Sequence, residues 1–236
     1  MYLFYHPGIN EADTITLSPE ESKHCAKVLR QKVGDTLYIT NGMGELFSGN
    51  LTEVHPAACV VQITGKRPGV DSHYKRLHLA VSPLRNPARF DWLLEKATEA
   101  GAGEITPVIC HRTERHQVKT ARWHKIVVAA MKQSLRTRFP VLNNPVSLSQ
   151  FHETLTTRQR FIAYCGEDHA TAPLHHALQP DLDAIVLIGP EGDFTAEEVE
   201  RAIQHGFTPV TLGRTRLRSE TAALSACFIF KQLNSY

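Results

Sequence analysis

The chain has 236 residues, 42% apolar and 21% charged, with 26 Lys and Arg against 24 Asp and Glu for a formal net charge of +2. That composition excludes long disorder, the near-neutral balance by itself argues for no partner, and the length suits one large domain or two modest ones. No run reaches the ~18 apolar residues of a membrane span, the N-terminus lacks the pattern of a signal peptide, and five scattered cysteines without C-x-x-C spacing point to a reduced, cytoplasmic protein with no cysteine metal site.

In chain order, residues 1 to 70 read as β. Thr36–Thr40 alternates on a period of two, Asn41-Gly-Met-Gly44 is a hairpin turn, and Glu45–Val54 returns. Ala58–Thr64 is a further strand, closed by Gly65. One helix is expected there, Glu20–Gln31, with Ser18 as N-cap and Glu21 completing the capping box. Short strands at this spacing suggest a small barrel. Glycine, proline and polar residues from Pro68 to Tyr74 mark a linker.

After it, strand and helix alternate. Leu77–Ser82 is a strand, and Ala88–Ala100 is a helix with Phe90, Leu93, Leu94 and Ala97 on one face, ended by Gly101. Glu104–Cys110 (strand), Ala121–Leu135 (helix) and Phe161–Cys165 (strand) follow. Ile185–Ile188 is a continuous β-branched and leucine run, as in a strand buried on both faces. Gly189-Pro190 ends it. Thr195 with Glu198 forms a capping box for a helix that turns Val199, Ala202 and Ile203 inward and stops at Gly206. Thr208–Leu212 is the next strand, and Ser219 is placed to cap a last helix ending near Leu233. Repeated βα units imply an α/β domain with a mostly parallel sheet covered on both sides.

Charge is unevenly spread. Arg112 to Arg138 holds eight Lys and Arg and one acid, while Asp181 to Glu200 holds seven acids and no base. The basic run reads as a footprint for phosphates or as a solvated helix face. Gly189-Pro-Glu-Gly192 and the loop of Arg214, Arg216 and Arg218 stand at the C-terminal ends of buried strands, where α/β proteins put ligands. Unless both are only tight turns, they suggest a ligand approached by backbone next to something anionic. No G-x-G-x-x-G follows the first strand, since Gly101-Ala-Gly103 closes a helix, and no phosphate loop is present. His169 with His175-His176 fits no zinc spacing.

Ile188-Gly-Pro-Glu-Gly-Asp-Phe-Thr195 and Leu212-Gly-Arg-Thr-Arg-Leu-Arg-Ser-Glu-Thr-Ala222 resemble the RsmE family of 16S ribosomal RNA methyltransferases. So do Tyr5-His-Pro7, His24 with Val28-Leu-Arg30 and Gly34-Asp35, Lys96-Ala-Thr-Glu-Ala-Gly101 and Gln133-Ser-Leu-Arg136. The matches keep their order over most of the chain. The resemblance implies a PUA-like, RNA-binding β-barrel over residues 1–70 and a SPOUT-type, trefoil-knotted parallel-sheet domain over 71–236. Pattern alone gives no knot, and chain topology argues against one by default.

The resemblance further implies S-adenosylmethionine as cofactor, bent in a cleft between the two loops. Leu187, Ile188, Gly189, Pro190, Glu191 and Gly192 would line one side, and Leu212, Gly213, Leu217, Arg218, Thr221 and Ala222 the other. It implies methylation at N3 of a uridine in the small ribosomal subunit, and a homodimer. Arg218 is expected to hold a uracil oxygen and stabilise the developing anion, with Glu220 orienting it or taking the proton; Glu220 as a first-turn acid favoured by the helix dipole stays open. Lys23, Arg30, Arg85, Arg136 and Arg138 are expected at RNA phosphates, and no metal is expected. Asp193 stands where the family usually has glycine, in a turn that aspartate tolerates. A SPOUT enzyme acting on tRNA and a non-catalytic ribosome-assembly factor remain as alternatives.

Overall fold

The computed structural model describes residues 1–9, 13–71, 76–116, 120–153, 159–166 and 172–234. They form two compact units, Met1–His73 with Val128–Phe139, and Tyr74–Val127 with Pro140–Tyr236.

The first unit contains β1 (Leu3–Tyr5), β2 (Thr14–Thr16), α1 (Pro19–Lys23), β3 (Thr36–Thr40), β4 (Glu45–Glu53) and β5 (Val60–Pro68). Its sheet runs β1-β3-β4-β5-β2, antiparallel except between β1 and β3. The expected turn closes the β3–β4 hairpin, with Asn41 Oδ1 accepting from the Met43 N–H at 2.8 Å. Alternate strand residues, among them Leu37, Ile39, Phe47, Leu51 and Val61, pack with Phe4, Ile9, Leu17 and Cys25. β4 carries a bulge at Ser48-Gly49. A Cβ on Gly49 would lie 2.7 Å from the Gln62 carbonyl, so the close approach requires glycine.

The helix expected over 20–31 is shorter and changes character. Ser18 Oγ accepts from the Glu21 N–H at 3.3 Å. The Glu21 carboxylate, however, pairs with Lys132 Nζ, so the capping box is only half made. α1 ends at Lys23, and His24–Val28 widens into a π turn with the Leu29 N–H on the His24 carbonyl. Ser22 Oγ donates to the Leu17 carbonyl and accepts from the Cys59 N–H, tying the helix to the chain before β5.

The stretch expected as a linker begins inside β5, and Ser72, His73 and Tyr74 lie outside the described residues. Asp71 is 3% exposed. Its carboxylate accepts from Arg136 Nε at 3.0 Å, from the Thr137 N–H at 3.0 Å and hydroxyl, and from the Arg138 N–H at 3.3 Å. The same short segment pairs with the β3–β4 turn: Thr40 Oγ1 donates to the Thr137 carbonyl at 2.7 Å, and the Phe139 N–H to the Gly42 carbonyl at 2.7 Å.

The second unit continues with β6 (Leu77–Val81), α2 (Pro87–Ala100), β7 (Glu104–Ile109) and α3 (Thr120–Gln133), whose residues from Val128 belong to the first unit. There follow β8 (Val141–Leu142), β9 (Val146–Ser147), α4 (Leu148–Glu153), β10 (Gln159–Ala163), β11 (Ala172–Pro173) and α5 (Leu174–Ala177). The last elements are β12 (Ala184–Ile188), α6 (Ala196–Gln204), β13 (Thr208–Thr211) and α7 (Ser219–Asn234). All strand pairs are parallel, in the order β11-β13-β10-β12-β6-β7-β8 with β9 also on β7.

β12 is central and wholly buried, as its apolar run requires. Ile185 and Leu187 enter a core with Phe151, Phe194, Val199, Ala202 and Phe207, and successive residues point to the opposite face. α7 packs on α2, β6 and β12 through Ala223, Ala226, Cys227 and Phe230. The expected caps are present: Gly101 (φ 105°) ends α2, and Thr195 with Glu198 makes both halves of its box on α6; Asn86 caps the start of α2, which the sequence reading did not name.

Candidate functional site

Three loops meet at the C-terminal ends of β10, β12 and β13. After β12 the chain turns through Gly189-Pro-Glu-Gly-Asp193, closed by the Asp193 N–H on the Pro190 carbonyl at 3.0 Å. A Cβ on Gly189 would press on the Phe194 ring at 3.0 Å, so this turn packs against its own helix start. Asp193 adopts φ 61°, the left-handed conformation expected of it. Its Oδ1 accepts from the Phe194 N–H at 2.8 Å, and its Oδ2 from the Cys165 N–H at 3.3 Å, which ties the loop after β10 to the loop after β12.

After β13, Thr211 Oγ1 donates to the Gly213 carbonyl at 2.8 Å and starts the arginine loop. α7 begins one residue earlier than expected: the Arg218 carbonyl accepts from the Ala222 N–H at 2.8 Å, so Arg218 and not Ser219 holds the N-cap position.

Together the loops enclose a cleft of about 870 Å³. Of the residues expected there, Ile188, Gly189, Pro190, Glu191, Gly192, Leu212, Gly213, Leu217, Arg218, Glu220 and Ala222 line it. Leu187 does not; strand alternation sends its side chain into the core. Thr221 lines an adjoining groove shared with Ala88, Arg89, Trp92 and Leu217. The sequence reading missed Tyr164, Cys165 and Gly166, and also Arg89 and Arg112. The strand expected over Phe161–Cys165 runs over Gln159–Ala163, so Tyr164 and Cys165 fall in the loop, and only the sheet order shows that its end lies beside β12.

Arg89 faces Glu220 across α2 and α7, Nη1 to Oε1 at 3.7 Å, with the Glu220 side chain 9% exposed. Arg112 Nη1 donates to the Gly192 carbonyl at 2.7 Å and the Phe194 carbonyl at 3.4 Å, bracing the turn from outside. Glu191 Oε1 accepts from the Arg85 N–H at 3.1 Å. The Arg218 side chain is exposed and has no hydrogen-bond or ion-pair partner among the described residues. Burial and then the Asp193 charge push up the Cys165 thiol, while Arg216 acts the other way.

None of the residues expected at phosphates is among those that line this cleft. In the first unit Lys23 and Arg30 are exposed, Arg30 with φ 53° just past the π turn. Arg138 is also exposed, whereas the Arg136 side chain is 11% exposed and bound to Asp71. In the second unit Arg85 is exposed, with Nε 3.2 Å from Glu114. His169 lies outside the described residues, and among those described no group of three or more His, Cys, Asp or Glu is placed to hold a metal.

Residues 71–231 match a family described as an RNA methyltransferase domain, and residues 17–64 one described as an RNA methyltransferase PUA domain. The chain is 30% identical over 219 residues to ribosomal RNA small subunit methyltransferase E of Synechocystis, covering 89% of this chain and 70% of that one. A structure described as a "probable rRNA-methyltransferase" from Porphyromonas gingivalis superposes with a TM-score of 0.91 at 35% identity, covering 99% and 98% of the two chains. The ribosomal RNA small subunit methyltransferase E of Neisseria gonorrhoeae, bound to S-adenosyl methionine, superposes with a TM-score of 0.88 at 27% identity, covering 99% and 98%. The architecture is thus the expected SPOUT-type parallel sheet preceded by a PUA-like β unit.

Proposed function

Because the chain belongs to the ribosomal RNA small subunit methyltransferase E family, we propose that it methylates N3 of a uridine in 16S ribosomal RNA, with S-adenosylmethionine as methyl donor. The observation that carries this reading is the cleft at the ends of β10, β12 and β13, with glycine-turn backbone on one side and the arginine loop on the other. Its volume is in the range of small-molecule sites. Its donor set fits the cofactor: cleft-lining backbone of Gly189–Gly192 and Leu212-Gly213 for the adenine edge, Ile188 and Leu217 for its faces, and carboxylates for the cationic end.

When bound, S-adenosylmethionine supplies a methyl group on a good sulfonium leaving group, so the protein contributes mainly alignment. Arg218, with no partner among the described residues, is free to hold a uracil oxygen and stabilise the charge that develops as N3 loses its proton. Glu220 meets Arg89 and no other side chain among the described residues, so Arg89, not Arg218, orients its carboxylate. Glu220 then either accepts the N3 proton or holds Arg89 in place. Lys23, Arg30, Arg85 and Arg138 contact phosphates, and Arg136 acts at one remove, through Asp71, on the segment that carries Arg138.

A homodimer and a cytoplasmic location belong to the same reading. No helix among the described residues is long and apolar enough to cross a membrane. The test is transfer of labelled methyl from S-adenosylmethionine to small ribosomal subunits lacking the modification, with naked rRNA and bulk tRNA beside them and product nucleosides identified by mass. N3-methyluridine is expected. Label on tRNA alone, or cofactor binding without transfer, would replace the reading by one of its two rivals. In the same assay Glu220→Gln is expected to lose about 10²-fold or more in rate if Glu220 takes the proton, and near-normal turnover would leave it an orienting residue.

A further inference from the structure

The cleft wall carries more positive than negative charge: Arg89, Arg112, Arg214, Arg216 and Arg218 against Glu191, Asp193 and Glu220. Such a wall disfavours a cationic guest unless a carboxylate is free to meet it. Glu220 is matched by Arg89 at 3.7 Å. Glu191 and Asp193 both meet only backbone N–H groups among the described residues, but Glu191 is exposed and held once, by the Arg85 N–H at 3.1 Å, whereas Asp193 is half-buried and held twice. Its partners among the described residues are backbone N–H groups, Phe194 at 2.8 Å and Cys165 at 3.3 Å, and no arginine pairs with it there.

Those two bonds and the φ of 61° hold the carboxylate between two of the three loops, so its charge has a fixed place in the cleft. Its field already reaches a neighbour, since it helps raise the Cys165 thiol. Arg112 does not cancel it by pairing, because that guanidinium is spent on the Gly192 and Phe194 carbonyls.

We propose that Asp193 is a specificity-determining residue: the fixed negative charge by which the cleft prefers the sulfonium form of its cofactor to the neutral thioether left after methyl transfer. The inference rests on the cofactor reading above. Its consequence is easier release of the spent cofactor, with no change in the turn that holds it.

The test is calorimetric binding of S-adenosylmethionine and of S-adenosylhomocysteine to the full chain, as wild type and as Asp193→Asn. The amide removes the charge and keeps one oxygen, so one of the two loop N–H groups, Phe194 or Cys165, loses its acceptor. Any cost of that lost bond falls on both ligands, and the ratio of their dissociation constants isolates the charge. Asp193→Asn is expected to lose roughly five- to tenfold in affinity for the cationic ligand relative to the neutral one, about the effect of one unit charge in a part-exposed site. The wild-type preference should also shrink as salt is raised. An unchanged ratio of the two dissociation constants in Asp193→Asn overturns the inference while leaving the cofactor reading intact. Wild-type protein that binds neither ligand overturns both. Should the variant fail to fold, the salt series on wild type decides, and a salt-independent preference counts against the inference.

Discussion

His152, on α4, is buried with neither ring nitrogen having a hydrogen-bond partner among the described residues. Its ring lies 4.7 Å from that of His205 and 5.5 Å from that of Phe207. Burial first, then His205, Arg201 and Arg160, push its pKa down to about 4, with Glu198 acting the other way. The unfolded chain keeps the ordinary value near 6.5 and so binds a proton that the folded chain refuses between those limits. Stability contributed by the neutral ring is therefore full above pH 6.5 and is lost as pH falls toward about 4. Denaturant midpoints at pH 7 and pH 5 are expected to differ more in wild type than in His152→Phe, and equal differences would refute the assignment. Sequence gave no sign of this residue, because its neighbours come from β10, α4 and α6. By contrast the Thr195–Glu198 box, Gly101 and Asp193 were readable, since a cap or a turn is decided within about four residues. The Arg89–Glu220 pair was not, because it exists only once α2 lies on α7.

At the level of elements, the long strands and helices follow from apolar period and run length, while β8, β9, β11, α4 and α5 are too short to carry a period. The break of the first helix at Lys23 was hidden for another reason: it depends on Ser22 meeting Cys59 and on Glu21 meeting Lys132, both remote in sequence. The segment Arg136–Phe139 looks like part of a basic run, yet one buried carboxylate organises it. Asp71→Ala removes the buried acceptor of four donors, the Arg136 guanidinium among them, which is expected to cost about 3 kcal/mol. A thermal melt reads the loss directly, and an unchanged midpoint would show that the segment holds by its pairing with the β3–β4 turn alone.

For the whole molecule, alternating β and α in the sequence made a parallel sheet legible but not its order, which long-range pairing decides. That is why one wall of the cleft, Tyr164–Gly166, went unread. Trp92 on α2 and Phe228 on α7 are 45% and 51% exposed, more apolar surface than a helix pair facing water needs. A homodimer is expected to cover it, and light scattering at micromolar concentration should give twice the 26.4 kDa chain mass; a single chain mass would count against the dimer. The first unit, finally, is not contiguous in the chain: it takes Val128–Phe139 from beyond α2 and β7. During synthesis, β1 to β5 emerge with the Asp71 carboxylate, the Thr40 hydroxyl and the Gly42 carbonyl still waiting for their partners. The amino-terminal unit therefore cannot complete itself until Tyr74–Val127 of the second has also been made.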